Sequence, residues 1–414
     1  MPSRISLLTG RYCSALSITQ MAVNVPGEMV TLPVMLRNYG YHNAVIGKLH
    51  FLAHSNRDHR DIHPPYGFHH LEISDEPGCY EDAYRAWVKR KDPEQLDYVS
   101  LGLPPASEIW YRMTGFHDKI KHPERVIDKS YEFRGKSEFT HSAFVGEQTI
   151  EYIKSHKNDT FFCFSGFYSP HPPFVAPREF MDLYNVQDMP IPDYPAEMDR
   201  RRTDDYFSDG QVKSAYLGYY AMISEVDFWI GKIIKTLKEL EIYDNTIIIF
   251  TSDHGDWMGD HFQYGKGYWA PDVISRVPLI FRVPEALGGV KGKQAGDIVE
   301  CVDILPTILE LAGIPVPPFV QGSLLPVIKT LNTYEGDGLG LCEYHGWKSL
   351  RMDGFRYVVK TNEEERLYDL EKDPWEYNNV ACNPEYADKL TEARKLLIQR
   401  MIKIEQPLRL EWVY

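Results

Sequence analysis

Residues 246–267 read TIIIFTSDHGDWMGDHFQYGKG, and the stretch changes character halfway along. Residues 246–251 are a continuous run of β-branched and aromatic side chains, the pattern of a strand buried on both faces. The run stops at Ser252, Asp253, His254 and Gly255. In open α/β sheets, ligand and catalytic groups gather at the carboxyl ends of strands. Asp253 and His254 put an oxygen and a nitrogen donor at that edge, and Lys266 follows in a flexible Gly-Lys-Gly turn. An isolated pair of this kind reads as a turn acid and a structural histidine. Strand end, glycine turn and Gly-Lys-Gly together favour a site.

Outward from this stretch the same alternation continues. Residues 161–164 and 278–283 are further apolar runs that read as buried strands. Helical spacing marks 29–39, 142–156 and 211–240, the last with Tyr216, Tyr220, Ile223, Val226, Ile230, Ile233, Ile234 and Leu237 on one stripe. Strands alternating with helices predict an α/β domain, a large mostly parallel sheet sandwiched by helices. Proline-rich stretches at 170–177, 190–195 and 315–318 predict long loops. After about residue 335 short strands dominate: 340–344, 349–360 with an Asp353-Gly354 turn, and 366–370. A last helix is expected from an Asn383 cap and Pro384, burying Tyr386, Leu390, Ala393, Leu397, Met401 and Ile404. The reading is therefore two domains, 1–335 and 336–414, the second a small antiparallel sheet plus helix of α+β type.

Bulk properties narrow the function. A formal charge of −14 over 414 residues argues against a nucleic-acid partner, which needs a basic footprint. It leaves room for an anionic substrate, since a site needs only a few local cations. The six cysteines, Cys13, Cys79, Cys163, Cys301, Cys342 and Cys382, form no CxxC pair and suggest neither a zinc site nor a disulfide framework. No apolar run reaches the ~18 residues of a membrane span. The compartment stays open, with a slight preference for the cytoplasm.

Two more stretches carry chemistry. In GYHNAVIGKLHF, residues 40–51, Lys48 and His50 are two apart and share a face if that segment is extended. A lysine beside a histidine suits a place where negative charge develops and a proton moves. In SGFYSPHPPFVAP, residues 165–177, His171 is held between prolines in a stiff loop after a strand. It reads equally as an acid catalyst or as a structural corner. A helix is expected to start at Pro2 and stop near Gly10, so an anion-favouring N-terminus lies at the start of the chain.

Together these motifs resemble the type I sulfatases of the alkaline-phosphatase-like superfamily. PSRISLLTGR, residues 2–11, is similar to the tail of the signature Cys/Ser-x-Pro-Ser-Arg-x-x-Leu-x-Thr-Gly-Arg. GYHNAVIGKLH is similar to the second signature, TSDHGDWMGDH with GKG to the metal strand, and SPHPPF to the histidine loop. VDILPTILELAGIPVP (302–317) and LYDLEKDPWEYNNVA (367–381) resemble more structural family segments. The resemblance implies a nucleophile matured from cysteine or serine to formylglycine by a formylglycine-generating enzyme. It implies that Arg4 holds that nucleophile, that Lys48 and His50 contact its hydroxyls, and that His50 is the base. His171 and Lys266 would grip the sulfate oxygens, with His171 protonating the leaving alcohol. Asp253 and His254 would hold a divalent cation, calcium by resemblance, with manganese as the alternative. The substrate would be a sulfated small molecule or carbohydrate.

In this signature Met1 occupies the variable position, so the formylglycine is expected just upstream of Met1 and the first metal-binding strand before that. The expectation is of an N-terminally truncated chain that is inactive as given. The alternatives are a phosphonate or phosphate ester hydrolase of the same superfamily, and a non-catalytic anion-binding homologue. Asn43 departs from the usual threonine or serine, and His254 from the frequent asparagine. The histidines 54, 59, 63, 69 and 70 read as an exposed loop rather than a second metal site, and Trp257, Tyr264, Tyr268 and Trp269 as packing or as a substrate-facing wall.

Overall fold

A computed structural model describes residues 2–53, 59, 61–102, 112, 115, 120–327, 336–362 and 364–405. Met1, His54 and the residues at the 335 side of the domain boundary lie outside them. At the centre is β1 (His42–Gly47), flanked in parallel by β2 (His70–Ile73) and by β4 (Phe161–Gly166). Between β2 and β4 in the chain, β3 (Ser130–Glu132) pairs in parallel with β5 (Phe174–Ala176).

Successive side chains of a strand point to opposite faces, and β1 uses both. Val45 packs with Ile5, Leu8, Leu32, Leu36, Leu305 and Leu309, supplied by the helices Pro2–Thr9, Leu32–Arg37 and Ile304–Leu311. Ala44 and Ile46 pack with Trp87, Phe144 and Val145 on the opposite side, where the helices Ala83–Lys91 and His141–Ser155 lie. The long helix Asp209–Glu239 packs outside His141–Ser155. Its start is a capping box, with Ser208 and Gln211 exchanging side-chain and backbone hydrogen bonds. The sandwich of helices about a parallel sheet is thus present.

The strand that opens the decisive stretch is placed differently from the reading. β6 (Ile248–Thr251) pairs antiparallel with β7 (Leu279–Arg282), and neither is bonded to β1, β2 or β4 among the described residues. The directly opposed Phe250 and Ile280 are 38% and 60% exposed, so these are not strands buried on both faces. An apolar run alone does not report which sheet it joins or in what direction.

The C-terminal domain follows the expectation closely. β8 (Gly340–Tyr344), β9 (Trp347–Met352), β10 (Phe355–Lys360) and β11 (Glu365–Asp369) form an antiparallel meander. The run read as 349–360 is two strands, divided at the Asp353-Gly354 turn. The helix Ala387–Ile404 closes one face, with Leu390, Ala393 and Leu397 on Leu350, Tyr357 and Leu367. Asn383 caps the preceding turn by accepting from the Glu385 amide.

The carboxyl ends of β1 and β4 meet without side chains. Gly47 has φ +87°, and a Cβ on Gly166 would lie 2.2 Å from the Lys48 carbonyl oxygen. Gly166→Ala is expected to destabilise the fold by ~1–3 kcal/mol through overpacking and to displace Lys48. Urea unfolding checks the first, and an unchanged midpoint would contradict the geometry.

Candidate active site

Arg4 is where the strand ends come together. Its Nε donates to Asp253 Oδ2 at 2.8 Å and one terminal nitrogen donates to the Lys48 carbonyl at 2.6 Å. One side chain from the first helix therefore fastens the end of β1 to the end of β6. The pair is largely withdrawn from water, with side-chain exposures of 10% and 18%. Burial pushes the Asp253 carboxyl upward, yet the charges of Arg4, His254, Lys48 and Lys266 hold it well below the ordinary carboxylate value.

Lys48 is 3% exposed, with its ammonium 4.6 Å from the centre of the Tyr168 ring. Burial, then repulsion from Lys266, pushes its pKa down to about 8. Lys266 is also lowered, chiefly by burial. Its Nζ lies 3.3 Å from His171 Nε2. The other His171 nitrogen, Nδ1, is 2.6 Å from the Pro172 carbonyl, which can only accept. The network therefore assigns the proton to Nδ1 and leaves Nε2 as an acceptor for the lysine. Burial, then Lys48 and Lys266, hold the His171 pKa well below its usual value.

His254 is oriented in the same way. Its Nδ1 donates to the Gly255 carbonyl at 2.7 Å, and its Nε2 lies 3.8 Å from Asp253 Oδ2. Burial pushes its pKa down to about 4 against the raising effect of Asp253. A neutral imidazole with a fixed Nδ1–H beside a carboxylate offers two oriented donors that could hold a metal. No group of three or more His, Cys, Asp or Glu placed to hold a metal occurs among the described residues.

Lys48 and His50 do not lie on an extended segment. β1 ends at Gly47, and His50 has φ +58° in a turn. The shared-face argument therefore lapses, although both residues are buried at one strand end. The turn is held by a residue the sequence reading missed. Asp75, just beyond β2, accepts from the Leu49 amide at 2.9 Å and the His50 amide at 2.7 Å through one oxygen. The sequence carries no strand reading at 70–73, so nothing marks Asp75 there. Asp256 was also missed: its Oδ1 accepts from the Met258 and Gly265 amides, each at 3.0 Å, and pins the loop carrying Lys266.

The aromatic residues beside Lys266 divide. Trp257 and Trp269 are buried and act as packing, while Tyr268 is 53% exposed beside the lysine. The histidine loop resolves into separate contacts: His59 stacks on Tyr80, His63 meets the Pro64 carbonyl, His69 stacks on His42 and His70 pairs with Glu72. Asn43 fills a structural place, its amide donating to the Pro33 and Gly67 carbonyls.

Set against known proteins, the chain matches the Sulfatase family over residues 1–314. It also matches the N-sulphoglucosamine sulphohydrolase C-terminal family over 259–404. An arylsulfatase of Clostridium perfringens is 28% identical, aligned over 87% of this chain and 76% of its own. An N-acetylglucosamine-6-O-sulfatase of Bacteroides thetaiotaomicron is 26% identical over 98% of this chain and 78% of its own. The crystal structure of a phosphonate monoester hydrolase of Agrobacterium radiobacter superposes with a TM-score of 0.79 at 23% identity, covering 97% of this chain and 86% of that one. The fold is that of the alkaline-phosphatase-like hydrolases. Within it, the chain belongs to the sulfatase family. Among the described residues no helix is long and apolar enough to cross a membrane.

The low Lys48 pKa gives a signed expectation. The ammonium is charged below pH ~8 and lost above it, so affinity for inorganic sulfate should fall as pH rises past that value. A bound anion favours the charged form and moves the midpoint upward. Calorimetric titration with sulfate from pH ~7 to ~9.5 checks this, and Lys48→Met should weaken binding and remove the step.

Proposed function

We propose that the protein hydrolyses a sulfate monoester, on a carbohydrate or a sulfated small molecule, using Arg4, Lys48, His50, His171, Lys266, Asp253 and His254. The observation that carries this reading is the Arg4 bridge. It gathers a guanidinium and Lys48 at the point where Asp253 and His254 end β6. The mutual repulsion that lowers Lys48 places Lys266 within electrostatic reach of it. Three cations within electrostatic reach of Asp253, with Glu76 also acting on both lysines, favour a doubly charged tetrahedral oxyanion. The N-acetylglucosamine-6-O-sulfatase relative supports a carbohydrate as its carrier.

Lys266 and His171 would hold sulfate oxygens from one side, and Lys48 from the other. Lys266 donates to His171 Nε2 while the other ring nitrogen faces the Pro172 carbonyl, so the lysine ammonium is the proton source for the departing alkoxide and His171 orients it. The resemblance makes His171 the better candidate for this proton, and the hydrogen bond from Lys266 favours the lysine instead. His50, fixed through its backbone by Asp75, is the proposed base.

Asp253 and His254 fit two positions of a divalent-cation shell, calcium by preference and manganese as the alternative. Bound there, a cation would supply Lewis-acid stabilisation of the charge on the sulfuryl group. A formylglycine, installed by a formylglycine-generating enzyme, would stand ahead of the helix Pro2–Thr9, where helix N–H groups and Arg4 favour negative charge.

The test pairs aryl esters on the protein isolated from its own host, with mapping of the N-terminal peptide. Sulfate ester turnover exceeding that of the matching phosphate and phosphonate esters, together with a formylglycine peptide, is the expected result. Preference for the phosphonate would replace the reading by the superfamily alternative. Sulfate binding without turnover, and without formylglycine, would leave an anion-binding protein. Chelation is expected to abolish turnover, and calcium added alone to restore it.

A further inference from the structure

The segment that presents Lys266 runs against backbone preference. Between residues 258 and 270, five non-glycine residues have positive φ: Met258 (48°), His261 (50°), Phe262 (57°), Tyr268 (60°) and Ala270 (51°). Left-handed conformations at such residues persist only where surrounding structure over-determines them. On its inner side the segment is held by Asp256 and by Tyr194, whose hydroxyl donates to the Gly259 carbonyl at 2.8 Å.

Its outer side is held by the other domain. After β11 the chain passes through Glu376 and Tyr377. His261 Nε2 donates to the Glu376 carbonyl at 3.2 Å, and the His261 amide donates to the Tyr377 hydroxyl at 3.3 Å. The Tyr377 hydroxyl in turn donates to Asp260 Oδ1, and its ring stacks on His261 with centroids 4.0 Å apart and planes 12° from parallel. Glu376 is itself left-handed at φ +60°. Its buried carboxylate accepts from Arg356 Nε and from the Asp272 amide, both at 3.0 Å. Arg356, fully buried in β10, also donates to the Asp272 carboxylate and to Ser275 Oγ. Asp260 and His261 near the start of the strained segment, and Asp272 just past its end, thus rest on two consecutive residues of the C-terminal domain.

We infer that Glu376 and Tyr377 are positioning residues: the C-terminal domain clamps the strained 258–270 segment and so sets the place of Lys266 opposite His171. The clamp rests on the proposed function only for the meaning of Lys266. Its mechanical part stands separately.

Two substitutions separate positioning from plain stability. Tyr377→Phe removes the hydroxyl but keeps the stacked ring, and Glu376→Gln keeps the shape of the buried group. Amide exchange across 258–268 should accelerate in both, with sulfate affinity falling about tenfold. Arg394→Ala is the control, since it breaks the Arg394–Glu365 pair of the same domain away from the segment. It should lower the melting temperature without changing sulfate affinity or exchange at 258–268. Unchanged exchange in Tyr377→Phe and Glu376→Gln would overturn the clamp, as would an equal loss of affinity in the control. If the unsubstituted protein binds no sulfate, the functional reading fails, and the exchange pattern alone decides the clamp. Should Tyr377→Phe not fold, Glu376→Gln carries the same comparison.

Discussion

A guanidinium with three directions of reach, set in a nearly dry place, organises this protein. Arg4 answers the Asp253 carboxylate and the Lys48 carbonyl at once, and these belong to strands that share no backbone hydrogen bond among the described residues. A lysine could not hold both partners in one plane; the fixed fork of an arginine can. Burying such a pair is costly when either partner is lost, because the survivor keeps its desolvation penalty. The first helix is therefore more than a lid on the sheet. Its hydrophobic side, Ile5 and Leu8, docks it, and its Arg4 makes the docking specific.

The two domains are related as frame and brace. The parallel sheet supplies stiff strand ends, and the glycine contact between β1 and β4 lets Lys48 emerge close to the neighbouring backbone. The loop between β6 and β7 has no such stiffness of its own. It collects its order from Asp256 and Tyr194 on one side and from the C-terminal sheet on the other, through the apolar cluster of Trp257, Trp269, Val358 and Tyr368. Arg356 and Glu376 add a fully buried ion pair at that seam.

Much of this was legible in the sequence, for identifiable reasons. The helical spacing of the long helix, the Asn383-Pro384 start and the Asp353-Gly354 turn are local signals, and each element lies where its signal stands, although that helix buries Val212, Ala215, Met222 and Trp229 and leaves Ile223 exposed. The apolar runs at 161–164 and 246–251 look alike as text, yet one joins a parallel sheet and the other an antiparallel ribbon. Partner choice is a long-range property that no short run encodes. Asp75 escaped notice for the same reason, because its role exists only once β2 lies beside β1. The spacing of Lys48 and His50 misled through a positive φ at His50, a conformation a histidine rarely signals in advance.

Two of the three site imidazoles, His171 and His254, share one habit: each gives its Nδ1 proton to the carbonyl of the next residue along the chain. With both basicities depressed, neither ring gains charge under mildly acidic conditions. The positive character of the cleft then comes from Arg4, Lys48 and Lys266. These two rings should stay neutral under mildly acidic conditions, where ordinary histidines near pKa ~6.5 would gain charge. That neutrality comes from burial: the hydrogen bonds to the Pro172 and Gly255 carbonyls favour the charged rings and fix only their orientation.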